Sequence, residues 1–311
     1  MAAIIPITLL PKGTQTTGEE FIPLVQNGTT SQIQLSTFIG GCDNTRGFYA
    51  SVAAGRDNNA AGIASFIGAG ICNTTNDDGN AIAGGCSNTT SKARAFIGGG
   101  AQNTVDGFCS AIAGGCGNTA TGNNIIIGGG VCNTVTAEQT FLGGGKGNTV
   151  DGFVAAVVGG CNNTASGQCS IIGGGKGNCT DANFAVIAGG CGNEVTGGAG
   201  SVLGGKCNVT SGLYGTIVGG INNTISSNAT CGVIVGSGNT INASKIKGTA
   251  IGTSNIINHN SSVALGNGIT TTAANTTHVE KLYIKSIPNG SAGLGSGTVY
   301  RTADGSLKIV L

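Results

Sequence analysis

The chain has 311 residues with a net charge of +1; 60 are glycine, 4 are proline and only 9% are charged. Glycine at more than twice its average share of about 7%, without a three-residue period and with so little proline, excludes collagen. A hydrophobic fraction of 39% excludes a disordered chain, and the near-neutral balance gives no electrostatic footprint for nucleic acid.

Residues 1–35 read as a separate N-terminal segment. The opening Met1-Ala2-Ala3-Ile4-Ile5-Pro6 lacks the basic start of a secretory signal. No run of 18 apolar residues occurs, so no membrane-inserted helix is expected. Phe21-Ile22-Pro23-Leu24-Val25-Gln26-Asn27-Gly28, followed by Thr29-Thr30-Ser31-Gln32-Ile33, resembles the short virion-attachment leader of phage tail fibres. The resemblance implies docking to a virion attachment protein through residues 1–35.

From residue 36 to 268 the sequence repeats. Asn58, Asn73, Asn88, Asn103, Asn118, Asn133, Asn148, Asn163, Asn178, Asn193, Asn208 and Asn223 follow one another at 15-residue intervals, with Asn44 14 before and Asn239 and Asn255 at steps of 16. Three residues before each stands a glycine. Six before stands a large apolar residue in all but the last coil, from Phe38 and Val52 through Ile127 to Ile217 and Val233. Fifteen residues are too few for a helical hairpin, and the β-branched run favours a strand. Each repeat is therefore one coil: Ser110-Ala111-Ile112-Ala113 reads as a first strand, Gly114-Gly115-Cys116-Gly117 as a corner, and Asn118-Thr119-Ala120-Thr121 as a second strand. Glycine suits the corners because it reaches positive φ without a Cβ clash. About fifteen coils stacked at about 4.8 Å predict an all-β, parallel β-solenoid (β-roll), a rod roughly 70 Å long. Asparagines one coil apart are expected to form a structural amide ladder, Asn73 to Asn223.

Side chains alternate across a strand. The residue six before each Asn points into its own coil, and the residues five and seven before point the other way. These too are apolar or small, and often reciprocal in size: Phe66 with Gly68, Phe96 with Gly98, Phe141 with Gly143, Ala156 with Val158, Ile171 with Gly173, Ser201 with Leu203. A strand apolar on both faces is usually buried on both, so the rod is expected to associate with identical chains along a seam that includes Phe66, Phe96, Ile126, Phe141, Val158, Ile171 and Leu203. This argument alone leaves a dimer open.

Gly248-Thr249-Ala250-Ile251-Gly252 and Ser262-Val263-Ala264-Leu265-Gly266 resemble the head repeats of trimeric autotransporter adhesins, which form left-handed parallel β-rolls in three-fold bundles. Gly159-Gly160-Cys161-Asn162-Asn163-Thr164-Ala165-Ser166-Gly167 is similar to solenoid repeats of phage tail fibres. The resemblance covers about three quarters of the chain and implies a homotrimer.

Residues 269–311 are expected to form a C-terminal hairpin cap or tip. Leu282-Tyr283-Ile284-Lys285-Ser286-Ile287-Pro288 and Gly293-Leu294-Gly295-Ser296-Gly297-Thr298-Val299-Tyr300-Arg301 resemble the closing segment of phage fibres. Asp304-Gly305 before Ser306-Leu307-Lys308-Ile309-Val310 is a hairpin signal. Tyr283, Tyr300, Arg301 and Asp304 are the receptor-binding candidates, chosen by position and side-chain type.

Candidate chemistry is sparse, and neither an enzyme nor a cofactor is expected. Gly143-Gly144-Gly145-Lys146-Gly147 has the outline of a phosphate loop, but glycine follows Lys146 where Ser or Thr is needed. Lys146, Lys176 and Lys206 recur every second coil, alternating with Cys161 and Cys191, and read as a solvated stripe. Cys86 and Cys116 share a column two coils apart, beyond disulfide reach. Cys72 with Cys86, Cys116 with Cys132, and Cys191 with Cys207 are closer diagonal neighbours whose one-residue offset points them apart. No metal is expected, since no two-residue-spaced cysteine pair occurs. His259 and His278 lack an accompanying acid and nucleophile, and Asp77, Asp78, Glu19 and Glu20 read as loop acids rather than a glycosidase pair.

The expectation is a structural virion fibre, assembled in the host cytoplasm, that contacts a host surface receptor, a glycan being one candidate. The alternative is a bacterial surface adhesin or filament subunit at the extracellular cell surface. A minor alternative is an ice-binding solenoid, suggested by Thr104, Thr119, Thr134, Thr149 and Thr164 stacked at strand spacing.

Overall fold

The computed structural model describes residues 43–281, together with the strands Phe21–Gln26, Thr29–Gln34, Val299–Arg301 and Leu307–Ile309. Between them, residues 43–281 form a parallel β-solenoid, with no helix among the described residues.

Each 15-residue coil contributes two strands of only two residues. In the coil that starts at Asn118, Thr119–Ala120 lies on what we call face A and Ile126–Ile127 on face B. Face A is a 15-stranded sheet and face B a 16-stranded one. Every strand pairs in parallel with the strand one coil away, Thr104 opposite Thr119 and Ile112 opposite Ile127. Fifteen steps of about 4.8 Å give a rod of about 70 Å. A third ladder, side C, consists of single-residue parallel bridges from Arg56 to Ile221, two positions before each of Asn58 to Asn223, such as Cys116 to Val131 and Val131 to Lys146.

The strands are short because the chain must turn back on itself within fifteen residues. Three corner positions take positive φ in each regular coil, Gly115 (97°), Gly117 (66°) and Asn124 (57°) in one of them, and some coils add a fourth at a neighbouring glycine such as Gly129 (144°). Only the first corner demands glycine throughout. A Cβ on Gly115 would sit 2.1 Å from the Gly130 carbonyl oxygen and 2.7 Å from Asn118 Nδ2. The other two corners accept ordinary residues, among them Cys132, Gln102, Val154 and Phe184. Left-handed backbone costs such residues about 1–2 kcal/mol each. Hydrogen bonds to the neighbouring coil hold it there: the Cys132 amide donates to the Cys116 carbonyl at 2.9 Å and the Gln139 amide to the Asn123 carbonyl at 2.9 Å.

The core is a single thin layer inside the coil. Its face B column runs from Val52 through Ile127 and Leu142 to Ile217, and its face A column includes Val105, Val135 and Val195, all buried. Full burial of such side chains stabilises by about 1.5–3 kcal/mol each.

The last coils correct one sequence assignment. Ile234, not Val233, is buried in the core column, and Ala250 follows it. From Thr210 to Ile217 is seven residues, but from Ile225 to Ile234 is nine, so two residues are added between the faces; from Ile217 to Asn223 is six but from Ile234 to Asn239 is five, so one is lost at the corner. The 16-residue spacing is the sum of these two changes. A register shift between Ile217 and Gly219 marks the place. Beyond it the face B strands lengthen to five residues, Val233–Ser237, Thr249–Thr253 and Val263–Asn267, which run through the corner glycines Gly236, Gly252 and Gly266, still at positive φ. The ladder continues past residue 268, to Thr277–Val279 on Val263–Asn267.

Outside the solenoid, Phe21–Gln26 pairs antiparallel with Thr29–Gln34, Gln26 opposite Thr29. Val299–Arg301 pairs antiparallel with Leu307–Ile309.

Candidate functional site

The asparagine column is the most regular polar feature. Asn118 donates its backbone N–H to Asn103 Oδ1 at 3.0 Å, and its Nδ2 donates to Asn103 Oδ1 (3.1 Å), to Gly114 O just before it in the chain (3.1 Å) and to Gly130 O further on (2.9 Å). Its own Oδ1 accepts from Asn133. The backbone N–H bond to the preceding asparagine recurs from Asn58 to Asn255, and every member of the column from Asn58 on is buried. The side chain replaces backbone pairing where the chain turns the corner, as buried amides and carbonyls require. No donor or acceptor of this column is left to point at a ligand from solvent.

The outer faces differ sharply. Face A carries an unbroken threonine rank over seven coils, Thr74, Thr89, Thr104, Thr119, Thr134, Thr149 and Thr164, half-buried, with small polar residues such as Ser91, Thr121 and Asp151 beside it. Face B carries the apolar residues. Phe66, Phe96, Ile126, Phe141, Val158, Ile171 and Leu203 all point outward and are 43–55% exposed in the single chain. Among the exposed large hydrophobic side chains of the described residues, Ile256 is the one on a face A strand. The rod is thus amphipathic about its long axis, polar on A and greasy on B. Part of the size pairing on face B is internal to the chain: a Cβ on Gly68 or Gly143 would lie 3.4 Å from the ring of Phe66 or Phe141.

The remaining candidates are dispersed. Lys146, Lys176 and Lys206 lie on side C, exposed, their backbones bridging to Cys161 and Cys191. All eleven described cysteines are free thiols, and six of them (Cys72, Cys109, Cys132, Cys169, Cys207, Cys231) sit at positive-φ corners. Cys179 stands in the face A threonine column. Burial, then its hydrogen bond to Asp181 Oδ1 at 3.2 Å, push its thiol up to about 12. Asp78 Oδ1 accepts from the Ile63 amide at 2.8 Å, which gives this acid a turn-capping role. His259 Nδ1 contacts the Thr271 carbonyl at 2.9 Å, and His278 contacts Thr272 and Thr276. Among the described residues no three His, Cys, Asp or Glu side chains gather as a metal would need, and no helix is long and apolar enough to cross a membrane.

Tyr300 and Arg301 lie on the strand Val299–Arg301, opposite Lys308 and Leu307. Tyr283 and Asp304, like Glu19, Glu20, Phe38 and Cys42, fall outside the described residues. No protein-family model matches the chain, and no curated protein matches it.

Proposed function

We propose that the chain is one protomer of a homotrimeric virion fibre, a phage tail fibre or similar appendage, in which the solenoid is a stiff shaft and face B lies on the three-fold axis. The observation that supports this most is the exposed apolar stripe of face B set against the polar rank of face A. Contiguous exposed apolar surface on this scale marks an interaction site, and a seam repeated coil after coil suits a partner with the same 15-residue pitch. Identical chains have that pitch. Within single coils a large residue on one outer column accompanies a small one on the other, Phe96 with Gly98 and Ser201 with Leu203, which lets one protomer's ridge fill its neighbour's groove at the same level. The three-fold symmetry itself rests on the likeness of the Thr249–Gly252 and Val263–Gly266 stretches to adhesin heads.

In this reading residues 1–35 dock to the virion, residues 36–268 span outward, and residues 269–311 close the tip, where Tyr283, Tyr300, Arg301 and Asp304 are the candidates for contact with a host surface glycan. The role is structural, without catalysis or cofactor. Two experiments test it together. Sedimentation or light scattering of the purified chain gives its mass, and adsorption of the labelled chain to candidate host cells, in competition with virus, tests attachment. A monomer that remains folded, or an oligomer that never competes with virus, counts against the proposal.

A further inference from the structure

Two pairs of cysteines meet at equivalent corners of neighbouring coils. Cys116 and Cys191 lie on side C, two residues before their ladder asparagine, and Cys132 and Cys207 stand one residue before the asparagine of the following coil. In each pair the amide of the second cysteine donates to the carbonyl of the first at 2.9 Å. A step of about 4.8 Å across the ladder and about 3.3 Å along it puts the two Cα atoms about 6 Å apart, within the roughly 4.4–6.8 Å that a disulfide spans.

Strand alternation would point the two side chains of each pair apart, as the sequence suggests. It fails here because Cys132 (φ 55°) and Cys207 (φ 54°) are left-handed, and all four thiols are exposed. The glycine after each first cysteine reveals the direction of the second. A Cβ on Gly117 would lie 3.5 Å from Cys132 Sγ, and one on Gly192 would lie 3.7 Å from Cys207 Sγ. Each second thiol therefore leans back over the preceding coil, beside the first cysteine. Other side-C cysteines lack such a partner: the amides that reach the carbonyls of Cys86 and Cys161 belong to Gln102 and Gly177. The Cys72 amide donates to Arg56 O at 3.1 Å, which turns this corner toward the preceding coil and away from Cys86.

We propose that Cys116 with Cys132, and Cys191 with Cys207, are intrachain disulfide sites, two staples that tie neighbouring coils when the rod meets an oxidising environment. The oxidant is a small disulfide such as oxidised glutathione. One cysteine thiolate attacks it, forming a mixed disulfide and releasing one reduced glutathione. The partner thiolate then attacks the protein sulfur of that mixed disulfide, closing the staple and releasing the second. Two electrons pass to the glutathione disulfide, and the two thiol protons end on the released glutathiones. The staples lie within one chain and off face B, so they do not depend on the trimeric reading. In a fibre assembled in a reducing cytoplasm they would close after release.

The test uses the full-length protein, purified reduced and equilibrated with oxidised and reduced glutathione at graded ratios. Free thiols are blocked with light N-ethylmaleimide under denaturing conditions, disulfides are then reduced and labelled with the heavy reagent, and each cysteine is read by mass spectrometry. Cys116, Cys132, Cys191 and Cys207 are expected to turn heavy at ratios that leave Cys86 and Cys161 light. In a non-reduced tryptic digest the Cys191 and Cys207 peptides should be linked, with no covalent dimer of the chain. Oxidation should slow hydrogen exchange at the Cys132 and Cys207 amides by about tenfold or more. Serine is a conservative replacement, since Ser87 and Ser254 occupy the same left-handed corner. In Cys132→Ser, Cys116 should lose its protein partner while Cys191 and Cys207 still pair. Heavy label spread evenly over the exposed cysteines, glutathione adducts in place of links at these four, a Cys72 to Cys86 link, or links between chains would overturn the proposal. A folded oligomer without staples would overturn it and leave the fibre reading standing, whereas a stapled monomer would overturn the fibre reading alone.

Discussion

Replacing Asn148 by alanine tests the asparagine ladder as the device that holds coil to coil. Asn148 Oδ1 accepts from the Asn163 backbone N–H at 2.9 Å and from Asn163 Nδ2 at 3.2 Å, and its Nδ2 donates to Gly144 O and Gly160 O, each at 3.0 Å. Gly160 O keeps the Lys146 amide at 2.9 Å, and Asn163 Nδ2 keeps its bonds to Gly159 O and Gly175 O. Two groups lose their partner: the buried Asn163 amide and the half-buried Gly144 carbonyl, which water can reach. At about 1–3 kcal/mol for the buried unsatisfied amide, Asn148→Ala should cost about 1–3 kcal/mol. Asn148→Asp keeps the acceptor half of the bonding but aims a second carboxylate oxygen at both glycine carbonyls, and should cost more than alanine at neutral pH. Because a solenoid's stability is a sum over neighbouring coils, the damage should be local. Chemical denaturation measures the total, and hydrogen exchange at the Asn163 amide localises it. A loss below about 1 kcal/mol, or unchanged exchange at Asn163, would refute the ladder's energetic role.

Three further outcomes follow from individual sites. Gly145→Ala, at φ 98° with the new Cβ 2.1 Å from Gly160 O, should lower stability by more than about 2 kcal/mol in the same denaturation assay, whereas Gly159→Ala, where a Cβ meets nothing within 4 Å, should cost under about 1 kcal/mol. Thr90 Oγ1 is buried without a partner in a column that elsewhere holds Val105 and Val135. Thr90→Val should therefore raise the denaturation midpoint, by about 1 kcal/mol of stability. Cys179, its thiol pushed up to about 12 by burial and Asp181, should react with maleimide near pH 8 far more slowly than exposed Cys86. Asp181→Asn should speed it. The folded state holds this proton more tightly than the unfolded chain, so the site contributes a loss of stability as pH rises from about 9 towards 12.

The coil was legible because every repeat restates one constraint. Asparagine at fixed spacing, glycine three before it and a β-branched residue six before it specify a corner, a turn and a core position. What the spacing hides is of two kinds. The left-handed corners at Gln102, Cys132, Val154 and Phe184 are set by hydrogen bonds from the neighbouring coil, and these residue types carry no preference that would reveal them. The shift from Val233 to Ile234 is masked because an insertion of two and a deletion of one appear only as a 16-residue interval. The full bonding of the asparagine amide was half legible: stacking follows from the period, but its donors go to glycine carbonyls, which have no sequence signature. Asn27-Gly28 between two β-prone stretches is a hairpin signal that a reading of the segment as a leader does not use, and the chain pairs on either side of it. Side C is visible in the sequence as the Lys–Cys stripe of Lys146, Cys161, Lys176, Cys191 and Lys206, but its backbone bridging is not, because one residue per coil leaves no alternation to detect.

The mass of the assembled protein in solution bears most directly on the whole account. Sedimentation equilibrium of the full chain should give three times the 30.1 kDa protomer mass, and a charge placed on the seam, Phe96→Asp with Phe141→Asp, should dissociate it. A folded 30.1 kDa species from the unaltered chain would mean that face B tolerates water, and would contradict the fibre.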